Sequence, residues 1–155
     1  SMVPGYVIAQ FAGAFVGAVL VYVLFAGQFE VTKDQGTKLG VFCTGPSIAN
    51  TGLNLLSEII GTFVLVFAIL GIGNVENAGS MGLNYFFVFA IIGMSLGGLT
   101  GYAINPARDL GPRLAHAVLP IPGKGDSNFG YAWIPVVGPI IGALLAGGLF
   151  VIIPW

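Results

Sequence analysis

Long apolar runs separated by polar intervals make up most of the chain. Residues 3–26, 52–71, 83–98 and 131–153 contain one charged residue between them, Glu58. An α-helix needs about 20 mainly apolar residues to cross a lipid bilayer. The pattern therefore predicts an all-α membrane protein with four transmembrane helices.

A fifth segment departs from this pattern. Residues 99–114 read LTGYAINPARDLGPRL, with two prolines, two glycines and three charged side chains. Asn105 is a good helix N-cap and Pro106 suits the first helical position, where no backbone donor is needed. The helix that starts there can run over residues 106–119 before Pro120, about 14 residues and too short to cross a bilayer.

Two interpretations of this short helix are open. It can be a helix cap in an aqueous loop, because a tripeptide such as Asn-Pro-Ala recurs by chance. Alternatively, it is a re-entrant half-helix, and non-helical backbone at membrane depth is tolerated only inside protein or along a wet cavity. In the second interpretation its electropositive N-terminus and Arg108 would favour the oxygens of neutral solutes and repel cations and protons.

Composition favours the membrane interpretation. Apolar residues make up 56% of the chain, charged residues 7%, and the mean hydropathy is +0.96. The net charge of −1 offers no basic stripe for nucleic acid. Cys43 is the only cysteine, so it can form no disulfide within one chain, and it is expected to be a small loop hydrophobe. The sequence shows no metal-ligand cluster and no set of nucleophile, base and orienting group, so an enzyme, a cofactor and a bound metal are not expected.

The remaining polar positions carry weaker expectations. An acidic residue within a span faces the bundle interior by default, so Glu58 is either a proton relay or a fixed acceptor that holds a re-entrant segment. Gln10, Gly13 and Gly17 are interpreted as a helix-packing seam. Residues 27–51 are predicted to form an aqueous loop, and His116 to make a satisfied polar contact.

The sequence NPARDLGPR at residues 105–113, with GYAI before it and WIPVVGP at residues 133–139, resembles the second half of a major intrinsic protein (aquaporin family). Asp109 and Arg113, together with Pro135 and Val136, are similar to what the glycerol facilitator (aquaglyceroporin) branch carries. The resemblance runs from the family's third span through its sixth. It implies four transmembrane helices and one re-entrant half-helix, that is, the third span and the second inverted repeat of an aquaporin-like fold.

The resemblance implies a passive channel for glycerol and other small neutral solutes, with water and urea as further permeants. The positions that match the family's pore and selectivity filter are Asn105, Arg108, Tyr102, Gly93 and Ala103. The positions that match its structural support are Glu58, Pro106, Ala107 and Asp109. Gly93 stands where water-selective relatives place a histidine, and its lack of a side chain is expected to leave room for the carbons of a polyol.

The chain departs from the family in one respect. Complete members have two inverted repeats, each with an Asn-Pro-Ala half-helix, whereas this sequence contains one. We therefore expect a fragment that does not conduct alone, from a tetrameric protein of the cell membrane. A water-selective aquaporin and a non-conducting membrane scaffold are the alternatives.

Overall fold

The computed structural model describes residues 2–79 and 84–154, and all regular structure within them is helical. The helices are α1 (Val3–Leu24), α2 (Ala26–Val31), α3 (Gln35–Phe42), α4 (Thr51–Gly73), α5 (Tyr85–Thr100), α6 (Pro106–Val118) and α7 (Ile134–Ile152). They belong to two compact units. The first unit is Ser1–Gly45 with Asn105–Val136, and the second is Pro46–Ile104 with Val137–Trp155.

The first unit is built on the packing of α1 against the short helix α6, with α3 also contacting α6. The helices α1 and α6 approach closely because Gly111 has no side chain. A Cβ atom there would lie 2.9 Å from the Cβ of Ala14 and 3.2 Å from the carbonyl oxygen of Phe11. The buried core of this unit consists of Ala18, Phe29, Phe42, Cys43, Ala115 and Ile121.

The segment predicted as an aqueous loop, residues 27–51, contains most of α2 and all of α3, and part of it is buried. Phe29 and Phe42 lie in the core, with ring centroids 5.5 Å apart. Asp34 caps α3 by accepting from the backbone N–H of Thr37 at 2.6 Å. The Lys38 side chain is 3% exposed, and its ammonium donates to the carbonyl of Pro122. The segment predicted as a loop is therefore largely helical, because Phe29 and Phe42 pack into the core of the first unit and Lys38 is held by the Pro122 carbonyl.

The second unit contains α4, α5 and the part of α7 from Val137 onward, and α4 packs against α5. Asn50 starts α4 by accepting from the N–H of Leu53 at 3.0 Å. Asn84 starts α5 in the same way, accepting from Phe86 at 2.8 Å, and Gly101 ends α5 in the left-handed conformation. Glycines bring α7 close to α4, since a Cβ on Gly138 would lie 2.6 Å from the Cβ of Glu58.

Three helices are long and apolar enough to cross a membrane by length and composition: α1, α4 and α7, with 22, 23 and 19 residues. The predicted span at residues 83–98 corresponds to α5, which has 16 residues and is equally apolar. Leu83, where that span was predicted to start, lies outside the described residues. Many large apolar side chains of these helices are exposed, among them Leu20, Ile91, Met94 and Leu144.

The close approach of α7 to α4 gives a direct test of the packing. A Cβ atom on Gly142 would overlap the carbonyl oxygen of Ile59 and lie 3.0 Å from the backbone nitrogen of Phe63. Because backbone atoms cannot rotate out of the way as side chains do, we expect Gly142→Ala to destabilise the protein by about 3 kcal/mol, at the upper end of overpacking costs. The matched control is Gly148→Ala on the same helix, where a Cβ meets open space. Equal midpoints for the two variants in a thermal unfolding series in detergent would contradict this packing.

Candidate functional site

The short helix α6 starts at residues that satisfy its first backbone donors. Asn105 has an extended backbone, with φ −159°, and its side-chain oxygen accepts from the N–H groups of Ala107 at 2.8 Å and Arg108 at 3.3 Å. Pro106 occupies the first turn, where its missing N–H costs nothing. The aligned peptide dipoles leave the N-terminus of this 13-residue helix electropositive.

The amide group of Asn105 has a polar neighbour on α1. Its Nδ2 donates to Oε1 of Gln10 at 3.5 Å, a long hydrogen bond. Gln10 is exposed and makes a polar contact, which the interpretation as a packing residue did not include. The side-chain oxygen of Asn105 accepts the capping hydrogen bonds of α6, so the NH₂ group of the same amide is directed away from α6, toward Gln10 on α1.

Arg108 is exposed on the first turn of α6 and borders a cavity. Its Nη1 donates to the carbonyl of Phe42 at 3.4 Å, the single hydrogen bond recorded for this guanidinium within the described residues. The cavity has a volume of about 360 Å³ and is also lined by Ala14, Ala18, Val21, Val41, Phe42 and Pro112. A guanidinium with free donors beside apolar walls can bind a neutral solute through its oxygens while its carbons pack on those walls.

The loop before Asn105 has a strained backbone. Gly101, Tyr102 and Ile104 have φ angles of 84°, 41° and 44°. The left-handed region suits glycine, but a β-branched residue such as Ile104 is an outlier there. Conformations of this kind cost about 1–3 kcal/mol per residue and persist only where the surroundings impose them.

Glu58 on α4 supplies that constraint. Its side chain is 1% exposed, and its two carboxylate oxygens accept from Thr100 Oγ1 at 2.7 Å, Ala103 N at 3.0 Å and Ile104 N at 2.7 Å. No described residue donates a hydrogen bond to the carbonyl oxygens of Tyr102 and Ala103. The carboxylate thus uses the loop's N–H groups and leaves these carbonyls free to accept from another molecule.

Tyr102 lies flat against α5. Its ring is close to the backbone of Gly93 and Gly97, and it meets Phe89 edge to face, with centroids 6.1 Å apart. A Cβ atom on Gly93 would lie 3.2 Å from the ring. The expectation that Gly93 leaves open room for solute carbons is therefore corrected, because the aromatic ring occupies that space.

Asp109 and Arg113 form a buried ion pair one turn apart on α6, with Nε 2.8 Å from Oδ1, and both side chains have zero exposure. Asp109 also accepts from Thr44, at 2.8 Å from the backbone N–H and at 2.6 Å from the hydroxyl. The Arg113 guanidinium donates further to the carbonyls of Thr44, Ser127 and Asn128. The pair connects α6 to the segments before α4 and before α7.

The C-terminal end of α6 is held by two more side chains. The Lys124 ammonium donates to the carbonyls of His116, Ala117 and Leu119 at 2.6–2.7 Å, which satisfies the last turn of the helix. His116 is fully buried, and its Nδ1 lies 2.8 Å from the hydroxyl of Ser127. Its Nε2 has no partner among the described residues, so the predicted polar contact is made through one ring nitrogen only.

The predicted site residues thus fall in two sets. The first unit contains Asn105, Pro106, Ala107, Arg108 and Asp109, which form the first turn of α6. The second unit contains Glu58, Gly93, Tyr102 and Ala103, where the carboxylate braces the loop and the ring lies on α5. Sequence reasoning missed Thr44, Thr100 and Ser127. Thr100 directly precedes the motif and could have been considered, whereas no sequence signal identified the other two.

Comparisons with known proteins indicate the family of this chain. The sequence profile described as "Major intrinsic protein" matches residues 1–150. The probable glycerol uptake facilitator protein of Thermotoga maritima is 57% identical over 153 residues, which cover 97% of this chain and 64% of the relative. The glycerol uptake facilitator protein of Bacillus subtilis is 59% identical over 151 residues, covering 96% and 54%.

A solved structure is also similar. The X-ray structure of the aquaglyceroporin from Plasmodium falciparum matches with a TM-score of 0.77 and 27% identity, covering 95% of this chain and 62% of that chain. This chain therefore spans roughly half to two thirds of the length of the proteins it resembles. The relatives' names are those of transporters rather than enzymes, and the long apolar helices make this chain an integral membrane protein. On the profile match and on these identities, the chain belongs to the major intrinsic protein family.

Proposed function

We propose that this chain forms part of a passive transmembrane channel for glycerol and other small neutral solutes, with water and urea as further permeants. The observation that carries the proposal is the start of α6. There Asn105 and Arg108 place amide and guanidinium donors at an electropositive helix end, and the hydrogen bonds that these groups make to Gln10 and Phe42 are long, at 3.5 Å and 3.4 Å. Such a site binds hydroxyl oxygens without needing a charged ligand, and it disfavours cations and protons. The names of the two bacterial relatives support glycerol as the solute.

In this proposal α1, α4, α5 and α7 span the membrane and α6 is a re-entrant half-helix. The 16 residues of α5 reach about 24 Å at 1.5 Å per residue, most of a hydrocarbon core about 30 Å thick. The buried carboxylate of Glu58 supports a fixed acceptor rather than a proton relay, because its oxygens are taken up by donors of the loop. Re-entrant backbone is compatible with the membrane where protein satisfies it in this way.

The selectivity of the pathway follows from two kinds of surface. A polyol has an edge of hydroxyl oxygens and an edge of carbon-bound hydrogens. In the first unit, Arg108 and Asn105 can donate to the hydroxyl edge. In the second unit, the free carbonyls of Tyr102 and Ala103 can accept from hydroxyls, and the Tyr102 ring is an apolar surface for the carbon-bound hydrogens. Asp109 supports this arrangement indirectly, through its hydrogen bonds to Thr44 and Arg113.

We further propose that the chain does not conduct by itself. It carries one Asn-Pro-Ala half-helix, and a pathway closed on all sides needs a second wall from a further polypeptide segment. Complete channels of the family, as the resemblance implies, assemble as tetramers, and we propose the same for the assembled protein in the cell membrane. A non-conducting scaffold is the competing function of the isolated chain.

Solute flux in proteoliposomes tests the proposal. One sample contains the chain as printed, and a second contains a fusion that adds the part of the Bacillus subtilis relative lying outside the match. We expect rapid uptake of glycerol and water by the fusion and background uptake by the chain alone. Water flux without glycerol flux in the fusion would indicate a water-selective pore, and no flux of either would contradict a channel.

Arg108→Ala in the fusion tests the proposed filter. On entering the pathway, glycerol loses hydrogen bonds to water, and the guanidinium donors replace some of them. We therefore expect loss of the guanidinium to lower glycerol uptake about tenfold, the change that ~1.4 kcal/mol in the barrier produces. The matched control is Lys33→Ala, which removes an exposed cation whose side chain donates to no residue in the described part of the chain. Equal glycerol uptake by the two variants would remove Arg108 from the filter.

A further inference from the structure

We propose that Gly97 on α5 is a specificity-determining position of the channel, because it seats the Tyr102 ring and sets how far that ring projects from α5. The inference rests on the proposed function, in which Tyr102 forms part of the wall of the pathway. It adds a residue that neither the family motif nor the fold comparison assigns.

The geometry of the ring shows why Gly97 matters. A Cβ atom on Gly97 would lie 3.0 Å from Cδ1 and 3.2 Å from Cε1 of Tyr102, whereas one on Gly93 would meet the outer part of the ring, 3.2 Å from Cζ. Phe89, Gly93 and Gly97 are spaced by four residues and share one face of the helix. The ring therefore lies in a shallow seat formed by two glycine backbones and closed at one end by the Phe89 ring.

The loop cannot move away to relieve a contact at this seat. The N–H of Gly101 donates to the carbonyl of Gly97 at 2.9 Å, which fixes the loop on the same turn of α5. The next two N–H groups after Tyr102 are held by the buried Glu58 carboxylate. Any added atom at Gly97 must therefore be accommodated by rotation of the Tyr102 side chain.

The position of the contact amplifies that rotation. Cδ1 is close to the point where the ring joins the main chain, so a small displacement there swings the hydroxyl end through a larger distance. The ring can swing only away from α5, since the helix backbone blocks the other direction. A methyl group at Gly97 thus pushes the Tyr102 ring outward from α5 and narrows the proposed solute pathway on the far side of the ring.

The chain offers a matched control at the next residue. Gly98 is on the same helix, and a Cβ atom there meets nothing within 4 Å. Gly97→Ala and Gly98→Ala make the same change in helix propensity and hydrophobicity. They differ in whether the new methyl group touches Tyr102.

The first arm of the test detects the seat without requiring transport. The chain is produced with 3-fluorotyrosine in place of tyrosine, purified in detergent and measured by fluorine NMR. The Tyr102 resonance is assigned by its loss in Tyr102→Phe. We expect Gly97→Ala to move this resonance and Gly98→Ala to leave it in place. An unmoved Tyr102 resonance in folded Gly97→Ala protein would overturn the proposal.

The second arm measures specificity in the fusion described above, as the ratio of glycerol uptake to water uptake. We expect Gly97→Ala to lower this ratio about tenfold, a change in barrier height typical of an overpacked contact. The variant Tyr102→Ala removes the ring, so we expect Gly97→Ala to have no further effect on the ratio in that background. A ratio unchanged by Gly97→Ala, or lowered equally in both backgrounds, would contradict the assignment.

The two arms separate failure of this inference from failure of the proposed function. If the unmodified fusion carries no solute, the proposed function fails and the specificity role fails with it, while the fluorine resonance still decides whether Gly97 seats the ring. If the fusion transports and the ratio does not respond, the proposed function survives and the role of Gly97 is refuted.

Discussion

Glu58→Gln is expected to abolish most transport by the assembled channel and to destabilise the chain by about 1–3 kcal/mol, the cost of a buried donor left without an acceptor. The substitution keeps the size of the side chain. It replaces one carboxylate oxygen by an NH₂ group, which faces donors rather than acceptors. Either the Ala103 N–H or the Ile104 N–H then has no partner.

The effect on transport should exceed the effect on stability. Tyr102 and Ile104 are held at positive φ by the surrounding hydrogen bonds, and loss of one lets the loop relax to an unstrained conformation. Relaxation would move both the Tyr102 ring and the free carbonyls of the loop. We therefore expect glycerol and water uptake by the fusion to fall together, by at least about tenfold, which corresponds to ~1.4 kcal/mol.

The control for this substitution is Glu30→Gln, the same chemical change at an exposed position of α2. Unfolding midpoints and flux should be measured on the two variants side by side. Wild-type flux in Glu58→Gln would show that the carboxylate does not hold the loop in its conducting conformation.

Arg113→Met is expected to cause the largest loss of stability, about 3–5 kcal/mol, the range for removing one partner of a buried ion pair. The variant leaves the Asp109 carboxylate buried without its cation. It also removes the donor of three backbone carbonyls, those of Thr44, Ser127 and Asn128. Methionine fills similar volume with a flexible apolar chain, so the loss reports mainly on charge and hydrogen bonding.

Unfolding by denaturant or heat in detergent measures this effect, with Arg108→Met as the matched control. Arg108 is exposed and makes one long hydrogen bond, so its removal should change stability by less than about 1 kcal/mol. Asp109→Asn combined with Arg113→Met should cost less than the sum of the single changes, because the two residues share one network. Equal stability of the two methionine variants would show that the buried pair does not hold α6 in place.

The apolar runs and the N-cap at Asn105 carried most of what the sequence could predict about this fold. Both signals are local, since an apolar run reports its own environment and a cap lies within three residues of the donors it satisfies. Membership of the family followed from the nine-residue motif at the start of α6, and the profile match and relatives show it. The predicted span at residues 83–98, the re-entrant course of α6 and the roles of the pore residues remain predictions.

What the sequence could not predict depends on contacts between distant residues. Thr44 is 65 residues from Asp109, and Glu58 is 45 residues from Ala103, so no local pattern connects them. The polar interval after α1 was predicted as an aqueous loop because its charges are usually solvated. The fold instead places Lys38 against the Pro122 carbonyl and buries Phe29 and Phe42. At Gly93, the sequence showed a missing side chain but not that the Tyr102 ring fills the space.

The depth of α6 in the bilayer tests the central claim most directly. Nitroxide labels on single cysteines replacing Leu110, Leu114 and Val118, which share one face of the helix, report their distance from gadolinium held on lipid headgroups. The native Cys43 does not interfere, because it is buried and burial raises the pKa of its thiol to about 12. A half-helix that begins near the midplane predicts a steady decrease in depth, by about 12 Å between residues 110 and 118. Uniformly shallow labels would place α6 outside the bilayer, and depths that pass through the midplane would make it a crossing helix; either result would contradict the account.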